Sequence, residues 1–154
     1  MADIRADVKL KDAEEFQDYV TLQLMRRGIV LNNLNSASYQ RKYGENTLGI
    51  EIKKDLIFRR TNNLWIEVAE RHNVNNHYVP SGVCRQDNSW LWLIGDEYTL
   101  WIIAKKTLIE IVILSGRKII ENDTKSSRGY LMPIAEADKI CLKKIVINKP
   151  TERV

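Results

Sequence analysis

The sequence predicts an α/β protein of the α+β type, with a central, mostly antiparallel or mixed sheet flanked by helices. Three patterns favour this fold class: a helical period after residue 12, a strand at 49–55 that alternates apolar and charged residues, and apolar strands at 64–69, 90–94 and 99–104. The 154 residues are 44% hydrophobic and 29% charged, so the chain can bury a core. We expect one domain over residues 1–154.

Charge and cysteine content limit the partners and the compartment. The formal net charge of +4 permits an acidic partner such as nucleic acid without requiring one. Cys84 and Cys141 are far apart in sequence, and the start MADIRADVKL does not look like a secretory signal. We therefore expect reduced thiols in a cytoplasm, that of a bacterium or a phage-infected host cell. The longest apolar run, 108–114, is far shorter than the roughly 20 residues that span a bilayer, which argues against a membrane role.

The N-terminal part predicts one helix and then a loop. Asp12 and Glu15 have capping-box spacing, and Gly28 suits the residue after the last turn, so the helix should run between them. Residues 1–10 have no clear period and are predicted to be a loose arm or a short edge strand. Residues 32–46, rich in Asn, Ser and Tyr, are predicted to be a loop.

Two strands then carry the charged residues of interest. In the first, Ile50 and Ile52 should face a core, while the charged residues between and after them face the opposite side. After a turn at 59–63, residues 64–69 predict a second strand that pairs antiparallel with the first. Its Glu67 should lie beside the charged face of the first strand, which consists of Glu51, Lys53 and Asp55.

The rest of the chain predicts a mixture of strands and helices. Residues 90–94 are apolar on both faces, which indicates a buried central strand, and 99–104 should return beside it. Residues 105–114 favour a helix, although their Ile and Val leave a strand open. Short strands are predicted at 118–120 and 129–134, and a helical period at 135–147. We interpret all four tryptophans as core or dimer surface, not as a base-stacking platform: Trp65, Trp90, Trp92 and Trp101.

The segment Gly49-Ile50-Glu51-Ile52-Lys53, on an early strand after one helix, resembles the hydrophobic-Glu-x-Lys strand of the PD-(D/E)XK nuclease superfamily. It is particularly similar to the corresponding strand of mismatch-repair and restriction-type endonucleases. The order of elements agrees over about the first hundred residues. The resemblance implies a restriction-endonuclease-like core and a metal-dependent DNA endonuclease. In such an enzyme, carboxylates hold Mg²⁺, with Mn²⁺ as a possible substitute, and a lysine assists hydrolysis of the phosphodiester.

Two alignments with the superfamily are open. In the first, which we prefer, Glu51 is a metal ligand and Lys53 the catalytic lysine. The upstream acid, usually Asp, would then be Glu45. In the second, Asp55 is the upstream acid and Glu67 the Glu of Glu-x-Lys, so that Ala69 occupies the lysine position and Lys53 substitutes from the neighbouring strand. The expected catalytic residues are Glu51, Lys53 and Glu67, and the expected metal ligands are Glu45, Glu51, Asp55 and Glu67.

Basic residues flank this site in sequence, in loops where they could grip a phosphate backbone. They are Arg41, Lys42, Arg59, Arg60 and Arg71. If they bind DNA, affinity should fall steeply as salt rises; the ordinary alternative is that they keep strand ends soluble. The small size suggests a phage or mobile-element protein that works as a homodimer, since one such domain addresses one strand at a time. The alternative to an enzyme is a binding module for nucleic acid or protein, with the same fold and a degenerate site.

Overall fold

The computed structural model describes residues 4–31 and 48–148, which contain both helices and strands. The mixed α+β class predicted from the sequence is confirmed. A single 3₁₀ turn, Gly82–Cys84, lies between the third and fourth strands. The elements in chain order are α1 (Ile4–Met25), β1 (Ile50–Lys54), α2 (Phe58–Thr61), β2 (Asn63–Glu70), β3 (Val79–Pro80), β4 (Leu91–Gly95), β5 (Thr99–Ala104), α3 (Lys105–Leu114), β6 (Ile120–Glu121), β7 (Ser127–Pro133), α4 (Ile134–Ile140) and β8 (Lys143–Val146).

The described strands form two four-stranded sheets, not the single central sheet that was predicted. The first sheet has the order β1-β4-β5-β8 and the second the order β3-β2-β7-β6. Neighbouring strands are antiparallel throughout, except that β1 runs parallel to β4. The parallel pair is possible because the chain leaves β1, builds β2 and β3 of the other sheet, and returns.

The predicted pairing of the first two strands is wrong, because the chain between them does not form a hairpin turn. Asp55 follows the last residue of β1, and residues 58–61 form the short helix α2. Asn62 then has a left-handed backbone with φ of 60°, which redirects the chain into β2. β2 consequently pairs with β3 and β7 of the second sheet.

Helix α1 covers one face of the first sheet and is longer than predicted. The prediction of a loose arm or edge strand is wrong for residues 4–10, which are already helical. No Gly or Pro interrupts residues 4–25, so the helix can extend well before Asp12. Its buried residues pack against Ile50 and Ile52, which face this core as expected. The cluster consists of Phe16, Val20, Leu24, Leu31, Ile50, Ile52, Leu91, Leu93, Leu100, Ile102 and Ile145.

The opposite face of the first sheet packs against the second sheet. Leu64 and Ile66 of β2 lie in this second core, not with Ile50 and Ile52 as the predicted hairpin required. Trp92 and Trp101 are the largest fully buried side chains in it. The remaining buried members come from α2, β4, β5, β7 and the helices beside them: Phe58, Val83, Ile94, Ile103, Leu108, Tyr130, Met132 and Ala137.

Several later elements agree with the sequence. Every residue of β4 is buried, as expected of a central strand, and β5 and the helix α3 have the predicted bounds. The helical period predicted for 135–147 is correct only as far as Ile140, where α4 ends. Residues 143–146 instead form β8, the edge of the first sheet. In the described ranges, no helix combines the length and the apolar character needed to cross a bilayer.

Candidate active site between the two sheets

A cavity of about 500 Å³ opens where β1 of the first sheet meets β2 and β6 of the second. Three of the residues predicted for the site line it: Lys53, Asp55 and Glu67. Lys53 belongs to the first sheet, Asp55 follows its strand β1 directly, and Glu67 belongs to the second sheet. These three side chains share one cavity although the predicted strand pairing does not occur. The full set of charged lining residues is Lys53, Lys54, Asp55, Glu67, Glu121 and Asp123.

Lys53 and Glu51 form a salt bridge on the face of β1 that points away from α1. Lys53 Nζ lies 2.8 Å from Glu51 Oε1 and 5.7 Å from the centre of the Trp92 ring. Glu51 is buried, with 8% of its surface exposed, and it does not line the cavity. The Glu-x-Lys motif therefore supplies the cavity with its ammonium, while its carboxylate holds that ammonium in place.

The Asp55 carboxylate joins the end of β1 to α2 and β2. Its Oδ1 accepts hydrogen bonds from the backbone N–H of Ile57 and Phe58, at 3.0 and 2.9 Å. Its Oδ2 accepts from the N–H of Trp65, at 2.9 Å. A carboxylate has about four acceptor positions, so three bonds leave Oδ2 able to accept one more. Asp55 thus has a structural role, lines the cavity and keeps one acceptor position on Oδ2.

Glu67 is held by two buried hydroxyl groups. Ser81 Oγ donates to Oε1 at 2.8 Å, and Ser127 Oγ donates to Oε2 at 2.7 Å. Gly82 permits this close approach of the Ser81 segment: it has φ of 52°, and a Cβ there would lie 2.2 Å from the Glu67 carbonyl oxygen. The β2–β7 register also shifts between Glu67 and Ala69. Such bulges commonly redirect a side chain beside a functional site.

The Asp55 carboxylate lies beside β2, close to the position of Glu67 along that strand. Asp55 is bonded to the N–H of Trp65, and Glu67 follows two residues later, about 7 Å along the strand. Each Glu67 oxygen keeps an acceptor position after its hydroxyl bond. Mg²⁺ is commonly held by one or two carboxylates, with water and substrate phosphate completing its shell, so this donor chemistry fits the metal. No cluster of three or more His, Cys, Asp or Glu suited to a metal occurs in residues 4–31 and 48–148.

The predicted site residues outside the cavity fall into two groups. Glu45, Arg41 and Lys42 lie in 32–47, outside the described residues. Arg59 is described and is engaged in the fold: its Nη2 donates to Asp96 Oδ1 at 2.9 Å, and its guanidinium lies over the Phe58 ring.

Arg60 and Arg71 differ in their surroundings. Arg60 is exposed beside Arg59 in α2. Arg71 donates to the carbonyl oxygens of Lys125 and Val74 and lies 4.4 Å from the centre of the Tyr78 ring. Arg128, which the sequence did not single out, lies 3.9 Å from the centre of the same ring. Arg71 therefore ties two loops together within a cationic patch.

The cavity lining carries more negative than positive charge. Four carboxylates and two ammonium groups give a formal charge of −2, from 2 minus 4. Lys54 is paired with Asp12 at 3.0 Å and with Glu97 at 2.8 Å. Arg128 bonds to Glu121 at 3.0 Å, and this hydrogen bond lowers the pKa of Glu121. A phosphate entering this cavity would therefore need a cation beside it.

Sequence reasoning missed the groups that orient Glu67. In Pro80-Ser81-Gly82, the glycine indicates a tight backbone turn, but no functional residue is predicted there from the sequence. Ser127 lies 60 residues from Glu67, and no local pattern links the two.

Comparisons with family models, curated proteins and solved structures find no match to this chain.

Proposed function

We propose that this protein is a magnesium-dependent endonuclease that hydrolyses phosphodiester bonds in DNA at the cavity between the sheets. The observation that supports this most is that Lys53, Asp55 and Glu67 line one cavity although Lys53 and Glu67 belong to different sheets. Acidic oxygens and an ammonium group in one concave site are the parts that metal-assisted phosphodiester hydrolysis needs. Because Glu51 is buried against Lys53 outside the lining, the geometry favours the alignment in which Asp55 and Glu67 are the metal ligands.

The residues of the chain have separate tasks in this reaction. Asp55 and Glu67 would hold the metal, which as a Lewis acid stabilises charge on the phosphate and activates water. The Lys53 ammonium, fixed by Glu51, offsets negative charge on the scissile phosphate and orients the attacking water. Ser81 and Ser127 fix the direction of the Glu67 carboxylate, as outer-shell groups do for metal ligands.

A second candidate is a non-catalytic module that binds nucleic acid or protein through the same site. Two observations favour it. Ala69 stands where the second alignment expects a lysine, and Asp55 and Glu67 together already accept five hydrogen bonds within the fold. This candidate predicts that the protein binds DNA but does not cleave it.

Cleavage assays with two matched variants test the proposal. Glu67→Gln keeps the size of the side chain and can still bond both hydroxyl groups, but it loses the charge that a metal requires. Glu70→Gln, three residues along the same strand and outside the cavity lining, is the control. Plasmid, single-stranded and branched DNA are incubated with the wild type and both variants, with and without Mg²⁺. We expect Mg²⁺-dependent cleavage of at least one of these substrates by the wild type and Glu70→Gln, and a loss of more than about 100-fold in Glu67→Gln.

Thermal unfolding gives a second readout. Mg²⁺ should raise the Tm of the wild type and Glu70→Gln but not of Glu67→Gln, because a ligand that binds only the native state stabilises it. Equal cleavage by Glu67→Gln and the wild type, or cleavage without any divalent ion, would contradict the proposal. DNA binding without cleavage under any metal would establish the second candidate instead.

A further inference from the structure

Trp65 presents an aromatic surface to the cavity on the same face of β2 as Glu67. Its six-membered ring lies against Gly129 of the neighbouring strand β7, where a Cβ would come within 2.8 Å of Trp65 Cζ2. The missing side chain at residue 129 makes room for the indole. Trp65 is only partly buried, so its ring keeps surface within the cavity.

The rest of the cavity wall is largely apolar, so it suits a flat, apolar group better than a highly charged one. Leu56 and Leu131 border the cavity and are 72% and 41% exposed, an unusual exposure for large apolar side chains beside a concave site. Ile57 and Ile120 complete this apolar rim. A cavity of about 500 Å³ is within the usual range for small-molecule sites and has ample room for one planar ring.

The charge of the lining narrows the choice of ligand. The net negative lining disfavours a bare phosphate against the apolar wall, whereas a neutral ring meets no such penalty. Nucleobases are flat rings that are neutral at ordinary pH, so they fit both the aromatic face of Trp65 and the apolar rim.

In place of the interpretation of Trp65 as core or dimer surface, we propose that the cavity takes one unpaired nucleobase, stacked on Trp65, from the strand whose phosphate is cut beside Lys53 and Glu67. The position of the phosphate rests on the proposed function, whereas the base pocket rests on Trp65, Gly129 and the apolar rim. In a continuous duplex both faces of each base are covered by its neighbours. The substrate class is therefore single-stranded, bulged or frayed DNA, and not uninterrupted duplex.

Binding without divalent metal tests this proposal separately from hydrolysis. Fluorescently labelled DNA in three forms, single-stranded, fully paired and paired with one bulged base, is titrated in EDTA with the wild type, Trp65→Leu and Trp65→Phe. Trp90→Leu is the matched control, because Trp90 is exposed and lies outside this cavity.

The wild type should bind the single-stranded and bulged forms about tenfold or more tightly than the fully paired form. Trp65→Leu should lose about 5- to 150-fold of its affinity for unpaired bases and little of its affinity for duplex. Trp65→Phe, which keeps an aromatic ring, should fall in between, and Trp90→Leu should match the wild type.

Equal affinity of the wild type for paired and unpaired DNA would overturn the proposal, and so would unchanged binding by Trp65→Leu. If Trp65→Leu fails to fold, the wild-type preference and the Trp65→Phe variant decide the question. Trp65-dependent binding of unpaired DNA without cleavage would support the base pocket and contradict hydrolysis. Cleavage that does not depend on Trp65 or on unpaired bases would support hydrolysis and contradict the base pocket.

Discussion

At the scale of single residues, Lys53 has a structural partner as well as a proposed chemical task. Its ammonium lies 2.8 Å from the carboxylate of the buried Glu51 and near the Trp92 ring. A buried carboxylate that loses its partner carries a desolvation cost with less compensation. A change at Lys53 therefore affects folding as well as activity, and the two effects must be separated.

We expect Lys53→Met to lower the free energy of unfolding by about 1–3 kcal/mol, because Glu51 keeps its charge and loses its salt bridge. Adding Glu51→Gln should restore most of this loss, since the buried charge is then gone. Urea unfolding of the two single variants and the double variant measures the coupling between the residues. Equal stability of Lys53→Met and the wild type, or a double variant less stable than Lys53→Met, would contradict this role of Glu51.

The sequence could predict part of the site at this scale. The alternation at 49–55 correctly placed Lys53 and Glu51 on one face, because side chains in a strand alternate by geometry. It could not show that Glu51 would be turned inward as a partner for Lys53. It also could not show that Asp55 would bond three backbone N–H groups, because those bonds depend on α2 and on the position of β2.

At the scale of elements, Asp96 joins α2 to the turn between β4 and β5. Its Oδ1 accepts from the backbone N–H of Tyr98 and Thr99, at 2.9 and 3.0 Å, and Arg59 reaches it from α2. Burial alone would raise the pKa of Asp96, but the hydrogen bonds from Arg59, Tyr98 and Thr99 outweigh it and hold the pKa below its ordinary value of 3.8. The carboxylate therefore stabilises the fold in its charged form.

This pKa gives a prediction for acid stability. Between the lowered folded pKa and 3.8, the unfolded chain binds more protons than the folded one at this site, so stability rises with pH there. The contribution of Asp96 is complete above its ordinary pKa and is lost as pH falls through the folded value. Asp96→Asn should be less stable than the wild type by about 1–3 kcal/mol near neutral pH, and the difference should shrink below about pH 4. Urea unfolding across this range measures it, and a difference that stays constant would contradict the assignment.

Element boundaries were more predictable than element pairing. The bounds of β5 and α3 follow from local patterns: apolar β-formers followed by a run with helical spacing. The pairing of β2 with β7 joins residues 57 to 70 positions apart, for example Leu64 with Met132, and no local pattern specifies it. The short helix α2 has only four residues, FRRT, too few to produce a visible period.

At the scale of the whole molecule, positive charge on the surface accompanies an acidic cavity. The chain has a net charge of +4, whereas the cavity lining has a formal charge of −2. Arg60 in α2 and the patch of Arg71, Arg128 and Tyr78 are basic groups outside the cavity lining. This distribution suits a polyanion held by its backbone around a site where a metal cation receives one phosphate.

Substitutions of the two neighbouring arginines in α2 should therefore have different effects. Arg60→Gln should weaken DNA binding and reduce the slope of log affinity against log salt by about 1, with unfolding unchanged, because Arg60 is exposed. Arg59→Gln should instead lower stability, because it breaks the bonds to Asp96. Binding titrations at several salt concentrations, together with urea unfolding, separate the two effects. An Arg60→Gln variant with the wild-type salt slope would exclude a phosphate contact there.

The position of a bound metal tests the central claim most directly. Crystals soaked in Mn²⁺ and measured at an anomalous wavelength locate the ion independently of any assay. The proposed function predicts an anomalous peak in the cavity within about 2.5 Å of carboxylate oxygens of both Asp55 and Glu67, and no peak there in Glu67→Gln. A cavity without a peak, or a peak that avoids both carboxylates, would contradict the claim that these residues form a metal-dependent hydrolytic site.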